Sequence, residues 1–362
     1  MKNNLTILLT IFNRSEYTLR WINTYIDKSC PFQVFICDGG NDKNLEEKLT
    51  KLSERYEKIT YQKFNYYENY NNFYEKFYFA VENIKTKYIY IAEDDDYLIY
   101  ENIYNSIKFL DQNDDYVCSG GKNFEITPYN QNLFKKFLVI SEENQKVFSS
   151  DDENVEERIK KMLQNIYSNY NCVFRRDAIL EIFKNLYEKN NINLWVSELI
   201  FILHTCLIGK IKRFPHIEYI KIANVENSSS YNFFKSINLF KLITSKKFSI
   251  ENYDILTLFN FKDFDENESK NIETLINNNL SLFWEKLIYE KFERDKLSKK
   301  FFYFFKNILK HLKIFDLIKF FSVYLNNDYS LNKNIYFVKK NQKEKISEIE
   351  LKYFREILNA NK

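Results

Sequence analysis

Glycine and proline are scarce in this sequence, with five glycines and three prolines among 362 residues. The glycine-bearing motifs of several enzyme classes are missing with them: there is no G-x-G-x-x-G, no G-x-x-x-x-G-K-[ST] and no G-x-S-x-G. Backbone cradles for pyrophosphate and strained nucleophile turns depend on those glycines. The sequence therefore argues against dinucleotide-dependent enzymes, P-loop kinases and α/β hydrolases.

A charge imbalance, long apolar runs and paired cysteines are also lacking. With 53 basic and 50 acidic residues the net charge is +3, which gives no reason to expect a nucleic-acid partner. No stretch of about 18 apolar residues is present, and we expect neither a membrane span nor a signal peptide. The five cysteines are odd in number and form no C-x-x-C pair, which predicts a protein of the reducing cytoplasm. No His/Cys spacing is suited to zinc, so we do not expect a zinc site.

The first 120 residues alternate between strand and helix patterns. Short apolar runs suited to buried strands are separated by segments with apolar residues at helical spacing, the first of which has Ser15 as its predicted N-cap. Repeated βα units predict an α/β fold with a mostly parallel sheet and helices on both faces. The strand-like runs are Leu5 to Ile11, Phe32 to Cys37, Ile59 to Phe64, Tyr88 to Ala92 and Tyr116 to Ser119.

Beyond residue 120 the pattern becomes less regular. The polar and acidic stretch 133–157 is predicted to be a loop, and Asn227 to Ser230 is predicted to be a linker. Between these, helical spacing resumes over 159–166, 177–187 and 195–208. We therefore predict one domain over residues 1–225 and an α-helical region over 226–362.

Three consecutive carboxylates, Asp94, Asp95 and Asp96, follow directly on the apolar run Tyr88 to Ala92. Adjacent negative charges repel one another, and a hard divalent cation that takes carboxylate oxygens would compensate them. A solvated acidic loop is the alternative. The clusters at 13–14 and 38–40 also follow strands, so all three should converge on the carboxyl edge of the sheet, where α/β folds bind ligands.

Four stretches together carry a resemblance to a known family. L-L-T-I-F-N-R at 8–14, F-I-C-D-G-G at 35–40, A-E-D-D-D-Y at 92–97 and W-V-S-E-L at 195–199 occur in the order typical of GT-A-fold glycosyltransferases of family 2. The resemblance covers about residues 4 to 222 and is nearest to a sugar-transferase subgroup of bacterial surface-polysaccharide loci. It implies a GT-A-type, mostly parallel nucleotide-binding sheet flanked by helices and followed by a helical C-terminal extension.

The resemblance also implies roles for particular residues. Asp94 and Asp96 would hold Mn²⁺ or Mg²⁺, with Glu93 as the alternative ligand if the register shifts by one. Asp38 would accept the imide N–H of the donor base. The predicted nucleotide-sugar site consists of Thr10, Phe12, Asn13, Arg14, Asp38, Gly39, Lys76, Asp94 and Asp95.

Glu198 is predicted to be the general base that takes the proton of the acceptor hydroxyl. Many relatives carry Glu-Asp where this chain has Ser197-Glu198, so the assignment depends on the register of that segment. For Lys76 and Arg14 the alternative is a solvated cation without a role in the site.

The C-terminal region contains an amphipathic pattern from Leu297 to Phe315, with apolar residues on one face and lysines on another. Packing of this face against neighbouring helices is the favoured interpretation. Peripheral contact with the inner face of the cytoplasmic membrane and association with a second copy of the chain are the alternatives.

Taken together, these features predict a metal-dependent inverting glycosyltransferase. It would move a sugar from a nucleotide-sugar donor to a hydroxyl of a bacterial surface glycan or of its lipid-linked precursor. Two alternatives stay open at this point: a nucleotidyltransferase of similar α/β architecture, and a catalytically inactive nucleotide-sugar-binding or scaffold protein.

Overall fold

The computed structural model of the protein describes residues 4–65, 70–129, 137–142, 148–164, 169–188, 194–222, 264–276, 330–332, 335–337 and 347–360. The strands are β1 (Leu5–Ile11), β2 (Gln33–Asp38), β3 (Ile59–Lys63), β4 (Tyr88–Glu93), β5 (Tyr97–Leu98), β6 (Tyr116–Tyr129), β7 (Phe137–Glu142), β8 (Val173–Arg175), β9 (Lys210–Ile222), β10 (Ser330–Asn332) and β11 (Ile335–Phe337). The helices are α1 (Ser15–Asp27), α2 (Lys43–Arg55), α3 (Tyr70–Asn83), α4 (Tyr100–Gln112), α5 (Val155–Gln164), α6 (Arg176–Glu188), α7 (Leu194–Ile208), α8 (266–276) and α9 (Glu348–Ala360).

The chain divides into two compact units. Unit 1 comprises residues 1–122, 146–219 and 244–277, and unit 2 comprises 123–145, 220–243 and 278–362. The predicted boundary between domains at 225/226 stays a prediction, and the compact units divide the chain at other points.

Unit 1 is built on a sheet whose central strands are parallel. Strands β3, β2, β1 and β4 lie side by side in that order, and each neighbouring pair is parallel. Beyond β4, β8 is antiparallel to β4, and β6 is antiparallel to β8. The predicted α/β fold with a mostly parallel GT-A-type sheet is therefore confirmed.

The register of the parallel strands aligns their carboxyl ends. Ile11 at the end of β1 lies opposite Asp38 of β2, and Thr10 lies opposite Glu93 of β4. The chain moves outward from β1 through β2 to β3 and then returns to the other side of β1 as β4. The topological switch point, where open α/β sheets bind ligands, is therefore between β1 and β4.

One face of this sheet carries an apolar core. Alternate residues of β1 and β4 pack there against α1 and α4, because side chains on a strand point to opposite faces in turn. Fully buried members include Leu9, Tyr90, Trp21, Ile103 and Ile107. This packing fixes both strands, and thereby the place at which they deliver the polar residues that follow them.

Unit 2 contains a smaller group of strands and helix α9. Phe124–Tyr129 of β6 pairs antiparallel with β7, which pairs parallel with β11, and β10 is antiparallel to β11. Helix α9 begins with a capping box, in which the Glu350 carboxylate accepts from the Ser347 amide at 2.7 Å and Ser347 Oγ accepts from the Glu350 amide at 3.3 Å. The C-terminal helix agrees with the predicted helical extension.

Two predictions for the later part of the chain have different outcomes. Strand β7 lies inside the stretch predicted to be a loop, because the apolar run Phe137 to Ile140 supplies the residues that a strand needs. The linker at Asn227 to Ser230 and the amphipathic pattern from Leu297 to Phe315 lie outside the described residues. Among the helices of the described segments, none is both long and apolar enough to cross a membrane.

Candidate active site

The three aspartates that follow β4 are buried. Asp94, Asp95 and Asp96 have 0%, 4% and 2% of their surface exposed. A solvated acidic loop would leave such side chains in water, so that alternative is wrong for this chain. Buried carboxylates need charged or hydrogen-bonding partners, and those partners define the site.

Arg14, which occupies the N-cap position of α1, supplies the positive charge beside this turn. Its Nη1 donates to Asp95 Oδ2 at 2.7 Å and its Nη2 to Asp95 Oδ1 at 3.2 Å, and Nη2 also donates to Asp94 Oδ1. Burial lowers the pKa of Arg14, but the charges of Asp94 and Asp95 outweigh it and the pKa is raised overall. Arg14 is therefore a fixed cation of the site and not a solvated side chain.

Asp94 is the most deeply held of the three carboxylates. Thr18 Oγ1, one turn into α1, donates to Asp94 Oδ2 at 2.8 Å, while Arg14 holds Oδ1. Burial raises the pKa of Asp94 to about 6 although Arg14 opposes the shift. Both oxygens of Asp94 are thus engaged by helix α1.

Asp96 has its partner on a different element. The hydroxyl of Tyr219, a buried residue of β9, donates to Asp96 Oδ2. Burial raises the pKa of Tyr219 well above its ordinary value, and the charges of Asp96 and Glu93 add to this, so the phenol stays a donor. Tyr219 thereby fixes one oxygen of Asp96.

A group of three carboxylates is suited to a metal ion. Glu93, Asp95 and Asp96 each offer an oxygen, and these oxygens lie within 4.8 Å of one another. The set is composed only of hard oxygen donors, the chemistry that Mg²⁺ and Mn²⁺ prefer. Asp94 of the predicted pair is outside this group, since Arg14 and Thr18 hold its oxygens, whereas Asp96 and the alternative ligand Glu93 are inside it.

Asp38 at the end of β2 lies in a hydrogen-bond network of its own. Its Oδ1 accepts from the Gly40 amide at 2.7 Å, and its Oδ2 accepts from Tyr61 Oη at 2.9 Å and from Lys63 Nζ at 3.2 Å. A carboxylate has about four acceptor positions. Among the described residues, these three donors occupy three of the acceptor positions of Asp38. One acceptor position remains on Oδ1.

The ends of β1 and β2 approach each other through Asn13 and Gly40. Asn13 adopts a left-handed backbone conformation with φ of 52°, and its Oδ1 accepts from the Asn41 amide at 2.7 Å. A Cβ on Gly40 would lie 2.5 Å from Asn13 Oδ1 and 2.8 Å from the Asn13 backbone nitrogen. A glycine is therefore required here because of space. Next to it, the Gly39 amide donates to the Ile11 carbonyl at 3.2 Å, and Phe12 is half-buried.

Lys76 of α3 is buried beneath the carboxyl end of β1, with 1% of its surface exposed. Its Nζ donates to Thr10 Oγ1 at 2.7 Å. Burial lowers the pKa of Lys76 overall, although the nearby charges of Asp38 and Asp94 oppose the shift. Thr10 and Lys76 thus form an internal contact of the site, and the side chain of Lys76 is not the solvated lysine that was the alternative.

Glu198 lies on α7, and its carboxylate is half-buried. Tyr170 packs on the same helix, with its ring stacked on that of Phe201 at a centroid distance of 4.2 Å. Burial raises the pKa of Tyr170 well above its ordinary value, and among the groups that add to this shift are Glu198 and Glu93. Glu198 and Glu93 therefore both lie in the surroundings of the Tyr170 hydroxyl.

Several residues of the site were not singled out by the sequence analysis. They lie on elements distant in the sequence from the residues they contact, and no local pattern distinguishes them from ordinary core or surface residues. Arg20 belongs with them, since its Nη2 donates to the backbone carbonyl of Asp95 at 2.6 Å and its guanidinium lies over the rings of Tyr17 and Tyr97. The others are Thr18, Tyr61, Lys63, Tyr170 and Tyr219.

Comparison with known proteins finds one family model that is similar to part of the chain. The sequence model of Glycosyl transferase family 2 matches residues 6–183, a range that includes Arg14, Asp38, Lys76 and the acidic turn. No curated protein matches the chain.

Solved structures of S. aureus TarS are similar to the chain at a low level. The structure of TarS residues 1–349 has 10% identity and a TM-score of 0.41, with 73% of each chain covered. The structure of the same TarS residues in complex with UDP-GlcNAc has 10% identity and a TM-score of 0.38, with 76% of this chain and 80% of that chain covered.

Proposed function

We propose that this chain, whose residues 6–183 belong to glycosyl transferase family 2, transfers a sugar from a nucleotide-sugar donor to a hydroxyl group, with inversion at the anomeric carbon and with a divalent metal ion. The observation that carries the proposal is the convergence of Glu93, Asp95 and Asp96 at the switch point of the sheet. The family match argues against the nucleotidyltransferase alternative.

The proposed metal ligands are Glu93, Asp95 and Asp96. The charges support this choice. Four consecutive carboxylates, from Glu93 to Asp96, have the guanidinium groups of Arg14 and Arg20 beside them. A divalent cation would balance the negative charge that these two guanidinium groups leave uncompensated. A bound Mn²⁺ or Mg²⁺ would neutralise the phosphate charge that develops on the leaving nucleotide. Lys76 is buried at the carboxyl end of β1, where its Nζ donates to Thr10 Oγ1 at 2.7 Å.

Glu198 is the proposed general base. Removal of the proton from the acceptor hydroxyl makes its oxygen a better nucleophile for the anomeric carbon. Attack on the face opposite to the leaving diphosphate inverts the configuration at that carbon. The presence of both Glu198 and Glu93 in the surroundings of Tyr170 supports this assignment, because it puts the carboxylate of Glu198 in the neighbourhood of the acidic turn.

Asp38 is the proposed contact of the donor base. Its remaining acceptor position on Oδ1 suits a single N–H donor, such as the imide of uracil, and Tyr61 and Lys63 hold the carboxylate in orientation. Asn13, Phe12 and Gly39 lie at the same strand ends and are proposed to border the nucleotide.

The acceptor and the location of the protein are also proposals. The similarity of A-E-D-D-D-Y to surface-polysaccharide transferases supports a glycan or lipid-linked glycan as the acceptor. Location in the cytoplasm or at the inner face of its membrane, and pairing of two copies through the C-terminal helices, stay predictions from the sequence.

The test combines ligand-dependent stability with turnover. Thermal unfolding of the wild type, Asp96→Asn and Glu198→Gln is followed with UDP, GDP, CMP and dTDP, with and without Mn²⁺. Consumption of the corresponding nucleotide sugars is measured in parallel. Asp177→Asn is the matched control, because this carboxylate is exposed and pairs with Arg176 away from the acidic turn.

A ligand that binds only the folded protein raises its apparent stability. We expect one nucleotide to stabilise the wild type, Asp177→Asn and Glu198→Gln only when Mn²⁺ is present, and not to stabilise Asp96→Asn. Turnover should fall by about 10²- to 10⁴-fold in Glu198→Gln. Absence of any Mn²⁺-dependent shift in the wild type would contradict the proposal, and binding without turnover of any donor would favour the inactive scaffold protein.

A further inference from the structure

We propose that the guanidinium of Arg14 and the divalent cation compete for the carboxylate of Asp95, so that binding of the cation releases Arg14 to bind the diphosphate of the donor. This inference rests on the proposed function. It also predicts the order of binding, in which the cation binds before the nucleotide.

Asp95 belongs to two arrangements at once. Its two oxygens accept from Nη1 and Nη2 of Arg14, at 2.7 Å and 3.2 Å. The same carboxylate is a member of the group with Glu93 and Asp96 whose oxygens lie within 4.8 Å of one another. Asp95 is the one residue that the two arrangements share among those described.

A divalent cation bound to Asp95 would lie next to a guanidinium on the same carboxylate, and like charges at that distance repel strongly in a site screened from water. The side chains of Arg14 and Asp95 have 15% and 6% of their surface exposed, so water screens this repulsion little. The cation therefore weakens the contact between Arg14 and Asp95.

Arg14 stays in the site when it leaves Asp95. Its Nη2 also donates to Asp94 Oδ1, and Thr18 fixes the other oxygen of Asp94 at 2.8 Å. Asp94 lies outside the group of proposed metal ligands and can keep its contact with Arg14. The guanidinium then remains at the end of β1 with Nη1 available, and its planar set of donors suits a phosphate.

Arg20 does not share this behaviour. It donates to the backbone carbonyl of Asp95 and not to its carboxylate, and its guanidinium lies 5.2 Å and 4.9 Å from the ring centroids of Tyr17 and Tyr97. A cation on the Asp95 carboxylate leaves that contact in place. The exchange of partners is therefore specific to Arg14.

Arg14→Lys tests the inference because it keeps the positive charge and removes the two-pronged contact. Mn²⁺ binding to the whole chain without nucleotide is measured by electron paramagnetic resonance. Binding of the nucleoside diphosphate that stabilises the wild type in the thermal-unfolding measurement is then measured by calorimetry at saturating Mn²⁺. Arg55→Lys is the control, since Arg55 is exposed and stacks on Tyr56 at the end of α2.

The expected result is a pair of shifts of opposite sign. Arg14→Lys should bind Mn²⁺ about fivefold tighter and the nucleoside diphosphate about tenfold more weakly than the wild type, in line with usual coupling between sites. Arg14→Gln, which also removes the charge, should bind Mn²⁺ at least as tightly as Arg14→Lys. Arg55→Lys should match the wild type in both measurements.

Two results would overturn the inference. Unchanged or weaker Mn²⁺ binding by both Arg14 variants, with wild-type circular dichroism and melting temperature, would mean that Arg14 only supports the metal ligands. Unchanged diphosphate binding would mean that Arg14 does not reach the phosphates. A wild type that binds neither Mn²⁺ nor any nucleoside diphosphate would instead overturn the proposed function itself.

Discussion

At the scale of single residues, one hydroxyl group fixes the orientation of Asp96. Tyr219 donates to Asp96 Oδ2 from a buried position on β9, whereas Asp96 itself follows β4. Groups that hold a metal-binding carboxylate in place contribute to metal affinity because they fix the geometry of the ligand before the ion binds. Tyr219 is therefore a positioning residue for the proposed metal site.

Tyr219→Phe should lower the affinity for Mn²⁺ by about tenfold, since loss of such a partner typically costs 10- to 100-fold. It should also lower the free energy of unfolding by about 1 kcal/mol, the usual contribution of one hydrogen bond. Isothermal calorimetry with Mn²⁺ and chemical unfolding measure the two effects on the same preparation.

Tyr25→Phe is the matched control for this prediction. Tyr25 is a buried tyrosine of α1 whose hydroxyl donates to the Phe32 carbonyl at 2.6 Å, away from the acidic turn. It should lose a similar free energy of unfolding and keep wild-type Mn²⁺ affinity. Equal loss of Mn²⁺ affinity in both variants would show that Tyr219 acts only through stability.

At the scale of elements, the site depends on the close approach of the ends of β1 and β2. Gly40 packs against Asn13 so tightly that a Cβ would lie 2.5 Å from Asn13 Oδ1 and 2.8 Å from the Asn13 nitrogen. Asn13 precedes Arg14 directly, so any shift of this junction moves the guanidinium that pairs with Asp94 and Asp95.

Gly40→Ala should therefore lower the free energy of unfolding by about 1–3 kcal/mol, the usual cost of a forced shift in a packed region. Nucleotide binding measured at a temperature where the variant is folded should also weaken. Asn41→Ala is the control, because its side chain is exposed and its contact with Asn13 uses the backbone amide; it should stay within about 0.5 kcal/mol of the wild type. A Gly40→Ala variant with wild-type stability would show that the junction adapts at no cost.

Local rules of sequence explain some element boundaries and not others. Ser15 has the residue type of an N-cap, yet α1 starts at Ser15 with Arg14 in the cap position, and the Ser15 hydroxyl donates to Asp42, the N-cap of α2. The predicted cap is wrong because a tertiary partner competes for that hydroxyl. The loop predicted over 133–157 is wrong for a related reason, since β7 gains its hydrogen bonds from β6 and β11.

At the scale of the whole molecule, every cysteine is free and buried. These residues are Cys30, Cys37, Cys118, Cys172 and Cys206. Burial raises the pKa of Cys30 and of Cys206 to about 12, and a thiol in that state reacts slowly. In Cys172 burial also raises the pKa, but Cys118 and the Arg213 guanidinium, whose Nη1 is 2.6 Å from the sulfur, lower it overall.

We therefore expect no rapid modification of the folded, reduced protein by a maleimide and modification of all five thiols in guanidinium chloride, as read by intact-mass spectrometry. Cys172 should be protected by its surroundings despite its lowered pKa. Fast labelling of any thiol under native conditions would contradict the burial of that residue, and labelling at the rate of global unfolding would agree with it.

The sequence by itself determined the sheet strands β1 to β4, the helices between them and the position of the acidic run at a strand end. It could do so because apolar periodicity and strand order act through neighbours in the chain. Through the family resemblance, the sequence also predicted Arg14, Asp38 and Lys76 as residues of the nucleotide-sugar site. All three lie near the ends of β1 and β2.

Only the tertiary structure decided which donors hold the carboxylates of Asp94, Asp95 and Asp96. Arg14 reaches Asp94 across 80 positions of sequence and Tyr219 reaches Asp96 across 123, so neither contact leaves a local pattern. Arg14 and Thr18 hold both oxygens of Asp94, whereas Asp95 and Asp96 each offer an oxygen to the group with Glu93. The physical reason is that a buried carboxylate takes its orientation from whichever donors the fold brings to it, and the fold brings them from distant elements.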